Sequence, residues 1–195
     1  MGSRERILAK LKANKPDAIE LPKIDISVFN EDLDLIKEFT KKVEVVGGNV
    51  IEVNNNDEIL SHIQKTFPET KVNFSNLEGT LSFNTIDLAS IKDPHSLEDL
   101  DVLVLESKLG VAENGAIWLE DNEITKRVLP FITKHLAVVI SKKNLVPHMH
   151  EAYKILSNQN IDYGVFISGP SKTADIEQSL VIGAHGALSL IIFLK

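Results

Sequence analysis

"DVLVLES", residues 101–107, sets four consecutive apolar side chains, Val102 to Leu105, between Asp101 and Glu106. A strand with water on one face alternates apolar and polar residues. An unbroken run suits a strand covered on both faces, as the strands of a parallel sheet are. Working outward, "GAIWLE" at 115–120 and "LAVVIS" at 136–141 read as further strands, and "LSLIIFL" at 188–194 holds the last one. Upstream, "NVIEV" at 49–53 and "KVNFS" at 71–75 are strands on either side of a helical "DEILSHIQKTF", 57–67, which Pro68 stops. Asn30 is placed to cap an earlier helix whose stripe is Leu33, Ile36, Phe39 and Val43, and Gly47-Gly48 ends that unit. Downstream come a helix around 148–157, a strand "GVFIS" at 164–168 and a helix around 173–182. Helices and strands therefore alternate, which points to an α/β domain with a partly parallel sheet and some antiparallel pairing in its middle.

Residues 4–13 carry Ile7, Leu8 and Leu11 at helical spacing, and Pro16 and Pro22 then break regular structure. The expected organisation is an N-terminal helix and connecting arm, 1–28, followed by one domain, 29–195. A chain of 195 residues, 43% hydrophobic and 25% charged, is long enough for a substantial core. Its net charge of −7 argues against an extended phosphate-binding face, so no nucleic-acid partner is expected. There are no cysteines, which excludes disulfides, thiolate metal sites and a cysteine-ligated iron–sulfur cluster on this chain. "MGSRERILAKLKAN", 1–14, is charged throughout and does not read as a secretory signal; residues 188–194 are too few to span a bilayer. A cytoplasmic location is the expectation.

Four stretches hold candidate chemistry. In the first, the strand at 164–168 runs into Gly169-Pro170-Ser171-Lys172 and directly into the expected helix. A helix start there would present free N–H groups, with Ser171, Lys172 and Thr173 able to hold a carboxylate or phosphate. Capping is the simpler reading of the same residues, and Asp175 would complement the helix dipole while competing with an anion. In the second, Gly183 ends the helix and His185-Gly186 turns the chain before the last strand. In the third, Asn114-Gly115 between two apolar runs signals a hairpin that would orient Glu113. In the fourth, His148 and His150 of "HMHE" diverge on a helix and have no third ligand at recognisable spacing, so no metal site is expected. Nucleophile-elbow, dinucleotide-loop, phosphate-loop and H-E-x-x-H patterns are all missing.

The run Gly169-Pro-Ser-Lys-Thr-Ala-Asp-Ile-Glu177, followed by Gly183-Ala-His-Gly186, resembles the C-terminal signature of the LUD-domain family. "AENGAIWL" at 112–119 is similar to that family's Ala-(Asp/Glu)-Thr-Gly-(Thr/Ser) segment, and Arg127, Leu129-Pro130 and His135 fall where it has Arg, Leu-Pro and His. Asn114 and Ala116 replace small hydroxyl residues of the pattern, and Ala187 replaces its proline. The resemblance implies a three-layer α/β/α fold of the NagB/RpiA/CoA-transferase type, with a mixed, mostly parallel sheet. It implies a non-redox component of an L-lactate oxidation complex. That component binds no cofactor itself and works with partner proteins that carry the iron–sulfur clusters. The implied ligand, a small carboxylate or phosphate, would touch Asn114, Gly115, Arg127, Gly169, Ser171, Lys172, Thr173, Asp175 and His185. The alternative is a stand-alone enzyme acting on a CoA-thioester or phosphosugar-like substrate, with Glu113 as general base and His185 second; only fold-level analogy supports it.

Overall fold

The computed structural model describes residues 2–20, 22, 25–29, 32–174 and 180–195. The chain separates into two compact units, Met1–Asp32 and Leu33–Lys195. The first unit contains α1 (Ser3–Ala13), where the Glu5 carboxylate accepts from the Gly2 N–H at 2.9 Å. None of the residues of α1 is buried, and Ile7, Leu8 and Leu11 are exposed.

The second unit runs α2 (Leu35–Val45), β1 (Asn49–Glu52), α3 (Asn56–Thr66), β2 (Asn73–Ser75), β3 (Val102–Ser107), β4 (Gly110–Val111) and β5 (Ala116–Glu120). It continues with α4 (Leu129–Ile132), β6 (His135–Ile140), β7 (Leu145–Val146), α5 (Met149–Leu156), β8 (Gly164–Ile167), β9 (Lys172–Ala174), β10 (Leu180–Ile182) and β11 (Ser189–Leu194). Five strands form a wholly parallel sheet in the order β1-β11-β6-β3-β2. A second sheet, β7-β4-β5-β8, pairs β4 with β5 and β5 with β8 antiparallel.

The apolar runs sort themselves by alternation, because successive side chains leave a strand on opposite faces. Leu103, Leu105, Leu136, Val138, Ile140, Leu190 and Ile192 point to one face and pack with Phe39 and Val43 of α2 and with Ile117 and Leu119 of β5. Val102, Val104, Ala137, Val139, Ile191 and Phe193 point to the other and pack with Ile59 and Ile63 of α3. The second sheet is covered in turn by α5, where Ala152 meets Val111 and Ala116 with Trp118 and Phe166 alongside. The expected α/β fold, a mostly parallel central sheet with helices on both sides, is what the chain forms. No described helix is long and apolar enough to cross a membrane.

Two local expectations need correction. Asn30 lies outside the described residues, and the cap of α2 is Asp34, whose carboxylate accepts from the Lys37 N–H at 3.2 Å. The helix expected over 173–182 is not formed at either end: β9 and β10 pair antiparallel, Val181 opposite Thr173 and Ile182 opposite Lys172. The β-branched Thr173, Val181 and Ile182 favour an extended backbone, and a short apolar run does not by itself distinguish helix from strand. Residues 175–179, Asp175 among them, lie outside the described residues.

Candidate functional site

Where β8 ends, Ser168 Oγ donates to the Asn114 carbonyl at 2.7 Å, tying this strand to the β4–β5 turn. Gly169 follows at φ +75°, where a side chain would bring its Cβ within 2.6 Å of the Val46 carbonyl oxygen. Only glycine meets both demands. Ser171 N–H then donates to the Ala187 carbonyl at 2.8 Å, and Gly183 N–H to the Ser171 carbonyl at 3.0 Å. A Cβ on Gly186 would stand 3.1 Å from Ser171 Cβ. The segments 169–171 and 183–187 thus lie side by side, joined by backbone hydrogen bonds.

Between them opens a cleft of about 230 Å³. Its walls are Pro130, Phe131, Leu136, Phe166, Ile167 and Leu190, with Gly169, Pro170, Ser171, His185, Gly186 and Ala187 at its edge. Leu136 and Leu190 are the second residues of β6 and β11, so the cleft sits at the amino ends of the parallel strands and the carboxyl end of β8. Among the described residues its polar side chains are the Ser171 hydroxyl and the His185 imidazole, and none of the described Lys, Arg, Asp or Glu side chains lines it.

Several expected site residues lie elsewhere. The Lys172 ammonium donates to the Val46 carbonyl just past the end of α2, where a cation complements the helix dipole. Arg127 forms a two-pronged pair with Asp121, at 3.0 and 2.8 Å, and its guanidinium lies 4.6 Å over the Tyr163 ring. That pairing holds the Asp121 carboxyl below its ordinary pKa. Thr173 is in the β9–β10 pair, opposite Val181. Asn114 Oδ1 accepts from the Ala116 N–H at 3.1 Å, and Gly115, at φ +65°, approaches so close that a Cβ would be 2.7 Å from Val43 N.

Glu113 has a partner that its sequence neighbourhood does not reveal. Its Oε2 lies 2.9 Å from His148 Nδ1, and the His148 ring stacks on His150 with centroids 5.4 Å apart. The contact follows from the parallel pairing of β4 with β7, which continues as Ala112 N–H to Val146 carbonyl and Glu113 N–H to Pro147 carbonyl. Asn114-Gly115 between two apolar runs announces a hairpin but not this second neighbour. Among the described residues no group of three or more His, Asp or Glu side chains is arranged to hold a metal ion.

The amino edge of the parallel sheet is held by Asp101. Burial raises its carboxyl pKa, but Lys134 Nζ at 2.7 Å and the N–H groups of Lys71 and Val72 at 2.8 and 3.0 Å outweigh that and bring it to about 2. Beside it, His135 stacks on Phe67 at 3.9 Å and meets Ser189 Oγ at 2.9 Å; burial lowers its pKa.

A family profile described as the LUD domain matches residues 92–194. A protein called lactate utilization protein C 1, from Bacillus mycoides, is 28% identical over 208 residues, covering 92% of this chain and 89% of that protein. A lactate utilization protein C from Bacillus pumilus is 37% identical over 98 residues, 47% of this chain and 40% of that one. Among solved structures, a DUF162-family protein from Deinococcus radiodurans superposes with a TM-score of 0.59 at 14% identity, over 83% of this chain and 96% of its own. The structural likeness bears on the fold alone.

Proposed function

The chain belongs to the LUD-domain family, and on that premise we propose that it serves lactate utilisation as the cluster-free component of an iron–sulfur system that oxidises L-lactate to pyruvate. Its part is to hold a small carboxylate in the cleft between residues 169–171 and 185–187. The observation that carries this reading is convergence: Gly169, Pro170 and Ser171 from one half of the signature and His185, Gly186 and Ala187 from the other border one cleft. At about 230 Å³ it is smaller than the ~300–1,000 Å³ of pockets that take drug-sized ligands, which suits a three-carbon acid. Its apolar walls would face the methyl group, and Ser171 and His185 would hydrogen-bond the carboxylate or its neighbouring oxygen. Lys172, Arg127 and Gly115 shape the frame in this reading rather than touching the ligand. With no thiol on the chain, electrons would pass through clusters held by partner proteins.

Calorimetric titration tests it. L-lactate or pyruvate is expected to bind, with affinity falling about tenfold in Ser171→Ala, the loss of one hydrogen bond to a charged group. Absence of any heat with either acid, or full affinity after Ser171→Ala and His185→Ala together, would refute the reading.

One observation favours a second reading, a stand-alone hydrolytic or acyl-transfer enzyme: the 2.9 Å contact between Glu113 and His148, a base with an orienting partner. Turnover of acyl-CoA or phosphosugar substrates by the purified chain, abolished by Glu113→Gln, would raise it above the first; no turnover would dismiss it.

A further inference from the structure

On the far side of the parallel sheet from that cleft's signature, the end of α3 and the segment 81–85 enclose a second cavity of about 260 Å³. Its chemistry differs from the first. Phe67 and Phe83 supply aromatic walls, Gln64 and Asn73 two carboxamides, and Thr70, Ser82 and Thr85 hydroxyls; among the described residues no charged side chain lines it. Phe67 is fixed in place by its stacking on His135, so the wall it forms is rigid.

Asn73 is the unusual member. It is 8% exposed, and its Oδ1 is buried without a hydrogen-bond donor. Its backbone is fully engaged: the N–H donates to Thr85 Oγ1 at 2.8 Å, and the carbonyl accepts from the Thr85 N–H at 3.0 Å. The strand therefore fixes the backbone from which this side chain projects. A buried acceptor left unpaired costs about 1–3 kcal/mol, and native structures keep very few of them. The Thr70 hydroxyl is already given to the Phe67 carbonyl at 3.0 Å and the Thr85 hydroxyl to the Asn73 carbonyl at 3.4 Å, so neither supplies the missing donor.

We propose that this cavity is a binding site for a small uncharged heterocycle with an amide edge, an N–H beside a C=O, as in the lactam of uracil or the carboxamide of nicotinamide. A carboxamide presents an acceptor and a donor side by side, the complement of such an edge. The ligand N–H satisfies Asn73 Oδ1, Gln64 serves the opposite edge, and the ring lies against the phenylalanines. Its two carboxamides and three hydroxyls set this site apart from the largely apolar cleft of the signature residues.

Titration calorimetry of the full chain with uracil and with nicotinamide tests it, with glucose as the control for a general polyol pocket. Saturable binding of at least one heterocycle is expected, lost at least tenfold in Asn73→Leu. The leucine variant is expected to resist urea no worse than the parent, because it removes an oxygen that has no donor. Gln64 stands on an exposed turn of α3, so Gln64→Leu folds in either case; it is expected to weaken binding about fivefold. No saturable heat with either heterocycle, glucose binding as tightly, or unchanged affinity in Gln64→Leu would each overturn the proposal. So would an Asn73→Leu variant that folds and still binds.

Discussion

At the residue scale, the glycines of the signature are set by neighbours that a side chain would strike. Gly169 needs a positive φ and sits 2.6 Å, measured from a would-be Cβ, from the Val46 carbonyl. Gly169→Ala is therefore expected to lower stability by roughly 1–3 kcal/mol in urea denaturation, and to weaken ligand binding because 169–171 shift as a unit. Asp101 makes a pH-dependent contribution. Its carboxyl is depressed from 3.8 to about 2, so the stability it adds is complete above 3.8 and is lost as pH falls through 2. With its side chain mostly buried, Asp101→Asn is expected to cost about 2 kcal/mol at pH 7 and progressively less as the pH falls toward 2. An equal cost at both pH values would contradict this account. Lys172 was legible as a cation beside a loop, but not as the residue closing α2, because Val46 is 126 positions away in sequence. Lys172→Ala is expected to reduce stability by no more than about 1 kcal/mol and to leave lactate or pyruvate affinity unchanged.

At the scale of elements, local signals read well wherever one dominated. Pro68 after "DEILSHIQKTF" and Asn114-Gly115 between apolar runs marked a helix end and a turn that the chain forms. The cap of α3 shows how local such information is: Asn55 Oδ1 accepts from the Glu58 N–H at 2.9 Å, and Glu58 Oε2 returns to the Asn54 N–H at 3.0 Å. Asn55→Ala is expected to cost about 1 kcal/mol in thermal or urea unfolding. The segment after Gly169 reads as a helix in sequence because its apolar spacing fits a helix as well as two short strands. The deciding fact, the pairing of Thr173 with Val181, is tertiary. That correction also removes the expected helix N-terminus at 173 as an anion holder, leaving Ser171 and His185 as the cleft's polar side chains among the described residues.

At the scale of the whole molecule, the apolar runs at 102–105, 136–140 and 189–194 announced a parallel sheet, and the alternation of their side chains fills both of its faces. The second sheet was foreshadowed only as antiparallel pairing in the middle; nothing local says that Val111 lies beside Val146 or that α5 covers them. The signature was conspicuous in sequence as two loops, and the fold adds that they form the two sides of one cleft. That joint boundary is the central claim, and nuclear magnetic resonance of the backbone amides tests it most directly during a pyruvate titration. The amides of 169 and 171 and those of 185–187 are expected to shift together along one binding curve. Shifts confined to one of the two segments, or to residues elsewhere in the chain, would contradict it.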